Sequence, residues 1–363
     1  MLGRAKIVDP TVPCGVKGCA SDFSELIPIR GLVTGEAEAM DHEPRPAFAG
    51  LGPAELVRAA SIARRFFIDG RSKSEIAEEF SVSRFKVARI LEDARAAGIV
   101  RIEIRLPARL DASLAHRLRD AFRLRHAIVV DTPEQPEAQM RQQLAHAAAA
   151  LLRETVTVDD VVGVGYGRTL TLMAEEIDGL AACPVVQLTG ALLGVNTSEN
   201  SVELVRRITA RSGGPCYSIY APQVLPDAKA AASLRQQPEV SEAYRRFGTV
   251  TKAVVAIGSW DPPRSQLYDS LPERQRTALR RKGVLAEVGA VLLDADGTQV
   301  ATDFTERCIS ISGRQLRAID EVVGVAGGTA KADAVRAVIA GGYAKSLVAD
   351  SSLATALLAQ VDS

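Results

Sequence analysis

The feature that most constrains this chain is a series of short, Val-rich apolar runs from His126 onward, each closed by glycine or a polar turn and followed by a helical stretch. HAIVV, VVGVGYG, VVQLTGAL, CYSIYAPQV, KAVVAIG, VGAVLLD, EVVGVAGG and KSLVAD read as strands. They are apolar continuously, not at alternate positions, and a strand tolerates this only where both faces of its sheet are covered. Such strands separated by helices specify a doubly wound α/β domain with a mainly parallel sheet. Asp294-Ala295-Asp296-Gly297 predicts a turn between two strands, and so a smaller antiparallel excursion.

The N-terminal part follows other rules. Residues 1–50 mix Pro, Gly and isolated charges without a period, and disorder is expected there. Cys14 and Cys19 have no second pair or His at ligand spacing, so no metal site is expected. Lys+Arg and Asp+Glu both number 44, which excludes a uniformly basic coat. Between Leu51 and Arg125, however, 16 basic residues face 10 acidic ones, leaving the rest of the chain acidic. A basic front on an acidic body points to nucleic acid at one end.

Residues 51–106 carry the matching pattern. ELVRAASIARRFFIDG places Leu56, Ala59, Ala60, Ala63 and Phe67 on one helical face. Ser72 and Glu75 have capping-box spacing at the start of a second helix, and Ser81-Val82-Ser83 turns into a third, RFKVARILEDARAAG. In that third helix Val87, Ile90, Leu91 and Ala94 form the buried stripe. Phe85, Lys86 and Arg89 face the other way, Arg84 lies on the flank and Ser83 caps the first turn. A recognition helix needs this layout, with outward N-terminal residues for base edges and flanking cations for phosphates, so Ser83, Arg84, Phe85, Lys86 and Arg89 are the DNA-binding candidates. Phe85 either meets a thymine methyl or covers the neighbouring helix. IVRIEIR alternates as a half-buried strand, the expected wing, with Arg101 or Arg105 near the DNA backbone.

In the body, two glycine loops have phosphate-binding chemistry. Gly163-Val164-Gly165-Tyr166-Gly167-Arg168-Thr169 runs from a strand into a helix, where converging N–H groups and the helix start favour an anion. It is neither a Walker loop nor a dinucleotide fingerprint, and its plainer reading is a tight strand-helix turn. Gly327-Gly328-Thr329-Ala330-Lys331 repeats the arrangement, with Lys331 aimed at the same kind of group or simply exposed on a first turn.

The segment IAEEFSVSRFKVARILEDARAAGIVRIEI resembles the head of the SorC-type (sugar-binding) bacterial transcriptional regulators, through Ser83-Arg84, Val87-Ala88-Arg89 and ARAAGIV from Ala94 to Val100. GVGYGRTL, VVQLTGAL, GGPCYSIYAP and VAGGTAKADAVRAVIAGGYAKSLVAD extend the resemblance to the C-terminus. It implies a winged helix-turn-helix over 51–106 and, over 107–363, an oligomerising effector domain similar in fold to sugar-phosphate isomerases. The implied partners are operator DNA, a phosphorylated sugar or polyol, and further copies of the chain as a homodimer or homotetramer. By position Gly167, Arg168, Thr169 and Lys331 fall to the phosphate, with Gly165 and Gly328 of the same loops as further effector-binding candidates. Tyr166 stands where a Trp is common in the family. Glu287 closes Gly-Val-Leu-Ala-Glu where relatives often have Gly-Ala-Val-Gly-Asp, and is either a hydroxyl acceptor or a solvated strand-edge residue. Gln187 and Asp350 stand at strand ends expected to face the same rim.

The alternative from another class is a sugar-phosphate-converting enzyme with an appended nucleic-acid module. Isomerase chemistry wants a carboxylate base and usually a His, but His42, His116, His126 and His146 all precede the first glycine loop. No catalytic residue and no cofactor is therefore expected. Leu110, Leu114 and Leu118 are expected to form the apolar seam of a dimer. Five scattered cysteines and the absence of an ~18-residue apolar run predict a cytoplasmic protein without a membrane span.

Overall fold

The computed structural model describes residues 52–100, 109–132, 136–192 and 201–361, and the chain divides into two compact units, Met1–Arg105 and Leu106–Ser363. The N-terminal residues with Cys14 and Cys19, and Arg101 and Arg105 of the expected wing, lie outside the described residues.

The first unit contains α1 (Pro53–Phe67), α2 (Lys73–Glu79) and α3 (Arg84–Ala96). The Ser72–Glu75 capping box forms, and Ser83 Oγ accepts the Lys86 N–H at 3.2 Å to start α3. Ile62, Ala63, Ile76, Val87 and Leu91 make a small core of their own, with Ile90 packed against it. The face of α1 is shifted from the expected one: Ile62 is fully buried in the core with α2 and α3, while Leu56 and Ala60 are exposed.

The second unit runs α4 (Ala112–Phe122), β1 (Ala127–Val130), α5 (Glu137–Thr155), β2 (Val162–Val164), α6 (Arg168–Glu176), β3 (Val185–Gln187), α7 (Ser201–Ser212), β4 (Cys216–Tyr217), α8 (Ala228–Arg235) and α9 (Pro238–Arg246). It continues through β5 (Lys252–Trp260), β6 (Pro263–Arg264), α10 (Gln266–Ser270), α11 (Glu273–Arg281), β7 (Ala286–Val288), β8 (Val291–Leu293), α12 (Asp303–Glu306) and α13 (Gly313–Ala318). It ends with β9 (Glu321–Val325), α14 (Ala332–Ala340), β10 (Ser346–Asp350) and α15 (Ser351–Ala359). Seven strands pair in parallel in the order β1-β10-β9-β5-β2-β3-β4. Period-two alternation sends consecutive apolar residues to opposite faces, which is why the runs are unbroken. In β5, Ala253, Val255 and Ile257 join one core with α4, α8, α9, α14 and α15, while Val254 joins the other with α5, α6 and α7. The fold is thus the doubly wound α/β arrangement expected.

Beyond residue 256, β5 leaves the parallel sheet and pairs antiparallel with β7, which pairs with β8. The antiparallel excursion exists, but its hairpin turns at Gly289 and Ala290, both at positive φ. Asp294-Ala295-Asp296-Gly297 is indeed a turn, with Asp294 Oδ1 accepting N–H bonds from Asp296 and Thr298, yet it leads from β8 into a single bridge at Gln299 and not into a second strand. The expected dimer seam is also redirected. Leu118 is fully buried in one core of the domain, Leu114 packs against that core and Leu110 against the opposite one, so the stripe is spent inside the domain.

Candidate effector site

Ligands of open parallel sheets bind beyond the carboxyl ends of the strands, where the chain winds away in two directions. Here that point lies between β2, which leads outward to β3 and β4, and β5, which leads to β9 and β10 on the other side. A cavity opens there, bordered by Tyr166 to Thr169 after β2, by Ile257 and Gly258 of β5, by Glu287 of β7, and by Gly327 and Lys331 after β9.

Two glycines make room for it. Gly167 has φ +155°, and a Cβ there would lie 2.5 Å from that of Ala256, so α6 can start against β5 only with glycine. A Cβ on Gly258 would lie 2.5 Å from Glu287 Oε1, its opposite neighbour in the β5–β7 register. No side chain caps α6, whose first internal bond runs from Thr171 N–H to Gly167 O at 2.9 Å. The N–H groups of Arg168, Thr169 and Leu170 therefore have no partner within the helix, at its positive end.

Glu287 is buried and held by hydroxyls. Tyr166 Oη donates to its two oxygens at 3.0 and 3.2 Å, and Ser265 Oγ donates to Oε1 at 2.7 Å. Burial pushes its carboxyl up to about 7, in spite of those donors and of Lys331. Lys331 Nζ donates to Ile257 O at 2.7 Å, and burial draws its ammonium down to about 8 while Glu287 opposes that shift. Around this pair the rim carries Arg141, ion-paired with Glu137, exposed Arg168, 3.2 Å from Asp269, and exposed Arg264. Arg141, Arg168, Arg264 and Lys331 outnumber Glu137, Glu287 and Asp269, which favours an anion, and the buried carboxylate offers acceptors for hydroxyls.

Of the expected site residues, Gly167, Arg168, Thr169, Glu287 and Lys331 come together at the cavity. Gly328 stands beside it at φ +87°, with its N–H bound at 2.8 Å by Asp350 Oδ1, so Asp350 shapes the loop. Gly165 is buried behind it and gives its N–H to Val254 O. Gln187 is not brought there. Fully buried, it donates to Thr189 O at 2.6 Å and Ser201 Oγ at 3.0 Å and accepts the Ile219 N–H at 2.9 Å, which uses its amide as a brace between β3 and its neighbours. Sequence reasoning passed over the roles of Tyr166, Ser265, Gly258 and Arg141. Tyr166 left one signal, its place in the Gly163 loop, and Arg141 another, the i,i+4 spacing from Glu137 at a helix start.

Known proteins share this arrangement. The family described as "Putative sugar-binding domain" matches residues 107–359, and the chain belongs to it. Within that class it is a SorC-type sugar-binding transcriptional regulator. It is 27% identical over 304 residues to the uncharacterized transcriptional regulator YjhU of Escherichia coli, covering 81% of this chain and 92% of that protein. It is 26% identical to the transcriptional regulator LsrR of Klebsiella pneumoniae, covering 86% and 96%. The full-length sorbitol operon regulator SorC of Klebsiella pneumoniae has the same fold, with TM-score 0.64 and 21% identity over 84% of this chain and 99% of that one. These relatives are named as regulators and not as enzymes. No helix among the described residues is long and apolar enough to cross a membrane.

Proposed function

We propose that the chain is a cytoplasmic DNA-binding regulator of a carbohydrate or polyol catabolic operon, and that its effector is a phosphorylated sugar or polyol. One observation carries the reading: the uncapped start of α6, with Arg168, Thr169 and Lys331, shares a cavity with a buried carboxylate whose remaining acceptor capacity suits hydroxyls. The phosphate takes the helix start and the cations, and Glu287 takes the sugar hydroxyls. Its burial favours the hydroxyl-acceptor reading of Glu287 over a solvated strand-edge one.

DNA binding rests on α3, where Ser83, Arg84, Phe85, Lys86 and Arg89 are all exposed and Phe85 is 88% exposed. Among the described residues Phe85 covers no neighbouring helix, which favours its use against a base. One such head reads a half-site, so two must be held by a homodimer or homotetramer. The effector acts by binding the DNA-competent and incompetent assemblies with different affinity.

A thermal-shift panel of pentose, hexose and polyol phosphates tests the effector, because a ligand at 100 times its Kd adds ~2.7 kcal/mol of stability. No stabilisation by any of them would refute that half. For the DNA half, Lys86→Ala and Arg89→Ala should each lose ~1–3 kcal/mol of operator discrimination, and Arg84→Ala should weaken all DNA and reduce the salt slope by about one. Wild-type footprints from the first two would show that another face reads the operator.

A further inference from the structure

Behind Tyr166 lies a polar side chain for which neither the fold nor the phosphate reading gives a reason. Gln223 is 0% exposed, and both its amide nitrogen and its amide oxygen lack a hydrogen-bond partner. Its backbone is pinned on two sides, with the N–H donated to Ala191 O at 2.7 Å and the carbonyl accepting the Ile309 N–H at 2.8 Å. Flanking bridges pair Ala191 with Pro222 and Val224 with Cys308, which places Gln223 beyond the carboxyl ends of the strands, where the cavity also lies. An apolar residue would pack at this point without leaving buried polar atoms unpaired.

Val224 and Cys308, whose bridge adjoins Gln223, pack in one apolar cluster with Tyr166, which puts the Gln223 carboxamide beside the Tyr166 hydroxyl. The carboxamide stands short of hydrogen-bonding geometry, yet it eases that group's ionisation against the larger effects of burial and of Glu287. Tyr166 has one proton, and the two distances to Glu287 show where it goes. What the phenol oxygen has left is acceptor capacity, which a donor such as the Gln223 amide N–H can meet.

We infer that Gln223 is a positioning residue for this site: its amide N–H closes on the Tyr166 oxygen and commits the Tyr166 proton to Glu287, keeping that carboxylate an acceptor for effector hydroxyls. The inference rests on the effector reading above. It separates two jobs within one cavity, since Gln223 governs the hydroxyl end and leaves the phosphate end untouched. The charged or titratable groups that bear on Glu287 are Tyr166 from the β2 loop, Asp269 of α10, Lys331 before α14 and Cys308, with the Ser265 hydroxyl as a further donor.

The test uses the full chain with Gln223→Leu (Gln223→Met if Leu does not fold), Tyr166→Phe and the double variant. Sorbitol 6-phosphate, ribose 5-phosphate and inorganic phosphate are titrated calorimetrically between pH 6 and 9. Gln223→Leu should keep a wild-type melting temperature or exceed it and bind inorganic phosphate as wild type does. It should bind the best sugar phosphate about tenfold more weakly near pH 7, the effect of one hydrogen bond. Its binding should also be lost at higher pH on acidification than in wild type, because a carboxylate deprived of a committed donor protonates more readily. On a Tyr166→Phe background Gln223→Leu should add nothing. A wild-type affinity and pH profile for Gln223→Leu, or a full tenfold loss added to that of Tyr166→Phe, would overturn the inference. If wild type binds no sugar phosphate the effector reading fails, and the inference is then decided by 13C-carboxyl titration of Glu287 in the free protein. A raised midpoint in Gln223→Leu supports it and an unchanged one refutes it.

Discussion

The two ends of the parallel sheet hold buried carboxylates in opposite ways. At the amino end, Glu321 accepts from Ser346 Oγ at 2.9 Å and lies 3.6 Å from both Arg125 and His126 and 3.9 Å from Lys252. Lys252 also lies 3.4 Å from Asp160. Burial works to raise the Asp160 carboxyl, but the Thr157 N–H, the Thr251 and Thr157 hydroxyls and Lys252 outweigh it and hold it below its usual range. At the carboxyl end, Glu287 has two hydroxyl donors and still titrates near 7. One end is saturated by its own counter-charges. The other is left short of them, which is what a site that must receive a ligand requires.

Breaking the saturated end should cost the most. Glu321→Ala leaves Lys252 half-paired and should lower folding stability by ~3 kcal/mol in a urea titration, with effector affinity unchanged. Glu287→Gln should do the reverse. A carboxyl raised from its ordinary 4.5 to about 7 destabilises the fold once the unfolded chain ionises, so the penalty grows from pH 4.5 to 7 and is complete above 7. The variant should therefore be more stable than wild type above pH 7 by up to ~3 kcal/mol, less what Lys331 forfeits, with the gap closing towards pH 4. Equal stability across that range would show that Glu287 is better solvated than its burial indicates.

Next in size is the binding effect. Arg168→Ala combined with Lys331→Ala should fold and bind operator, yet weaken the effector by ~100-fold, the sum of two charge-assisted bonds. A gel-shift titration with the cognate sugar phosphate measures it, and a wild-type response would move the pocket elsewhere. The smallest effect is Thr251→Val, which removes a donor to Asp160 at 2.7 Å. The stability contributed by Asp160 is present above its unfolded pKa and lost as pH falls through its lowered folded value. The variant should therefore acid-unfold at a slightly higher pH than wild type.

How far the sequence revealed this depended on the range of the interaction. Unbroken Val runs announced a covered sheet, and the Gly163 and Gly327 loops announced where helices begin, because both are local statements about backbone. Gln187 was misplaced because a strand-end position does not say which neighbours will fill its amide, and these came from 14 and 32 residues away. The Tyr166–Glu287 bond joins residues 121 apart, brought together only when β7 folds back on β5. Gly258 carried no motif, since its role is to leave room for a side chain that arrives later in the chain.

Strand β5 has a mechanical consequence. Its nine residues take part first in the parallel sheet, beside β2 and β9, and then in the antiparallel ladder with β7. No loop intervenes at which the excursion could melt alone. Opening β7 must strain the sheet's central strand, so the cavity floor and the main core should exchange their amide hydrogens as one cooperative block, with β7 protected almost as long as β9. The Glu287 wall would then be the stiffest part of the cavity, and any movement on ligand binding is expected at the start of α6 and in the Gly327 loop.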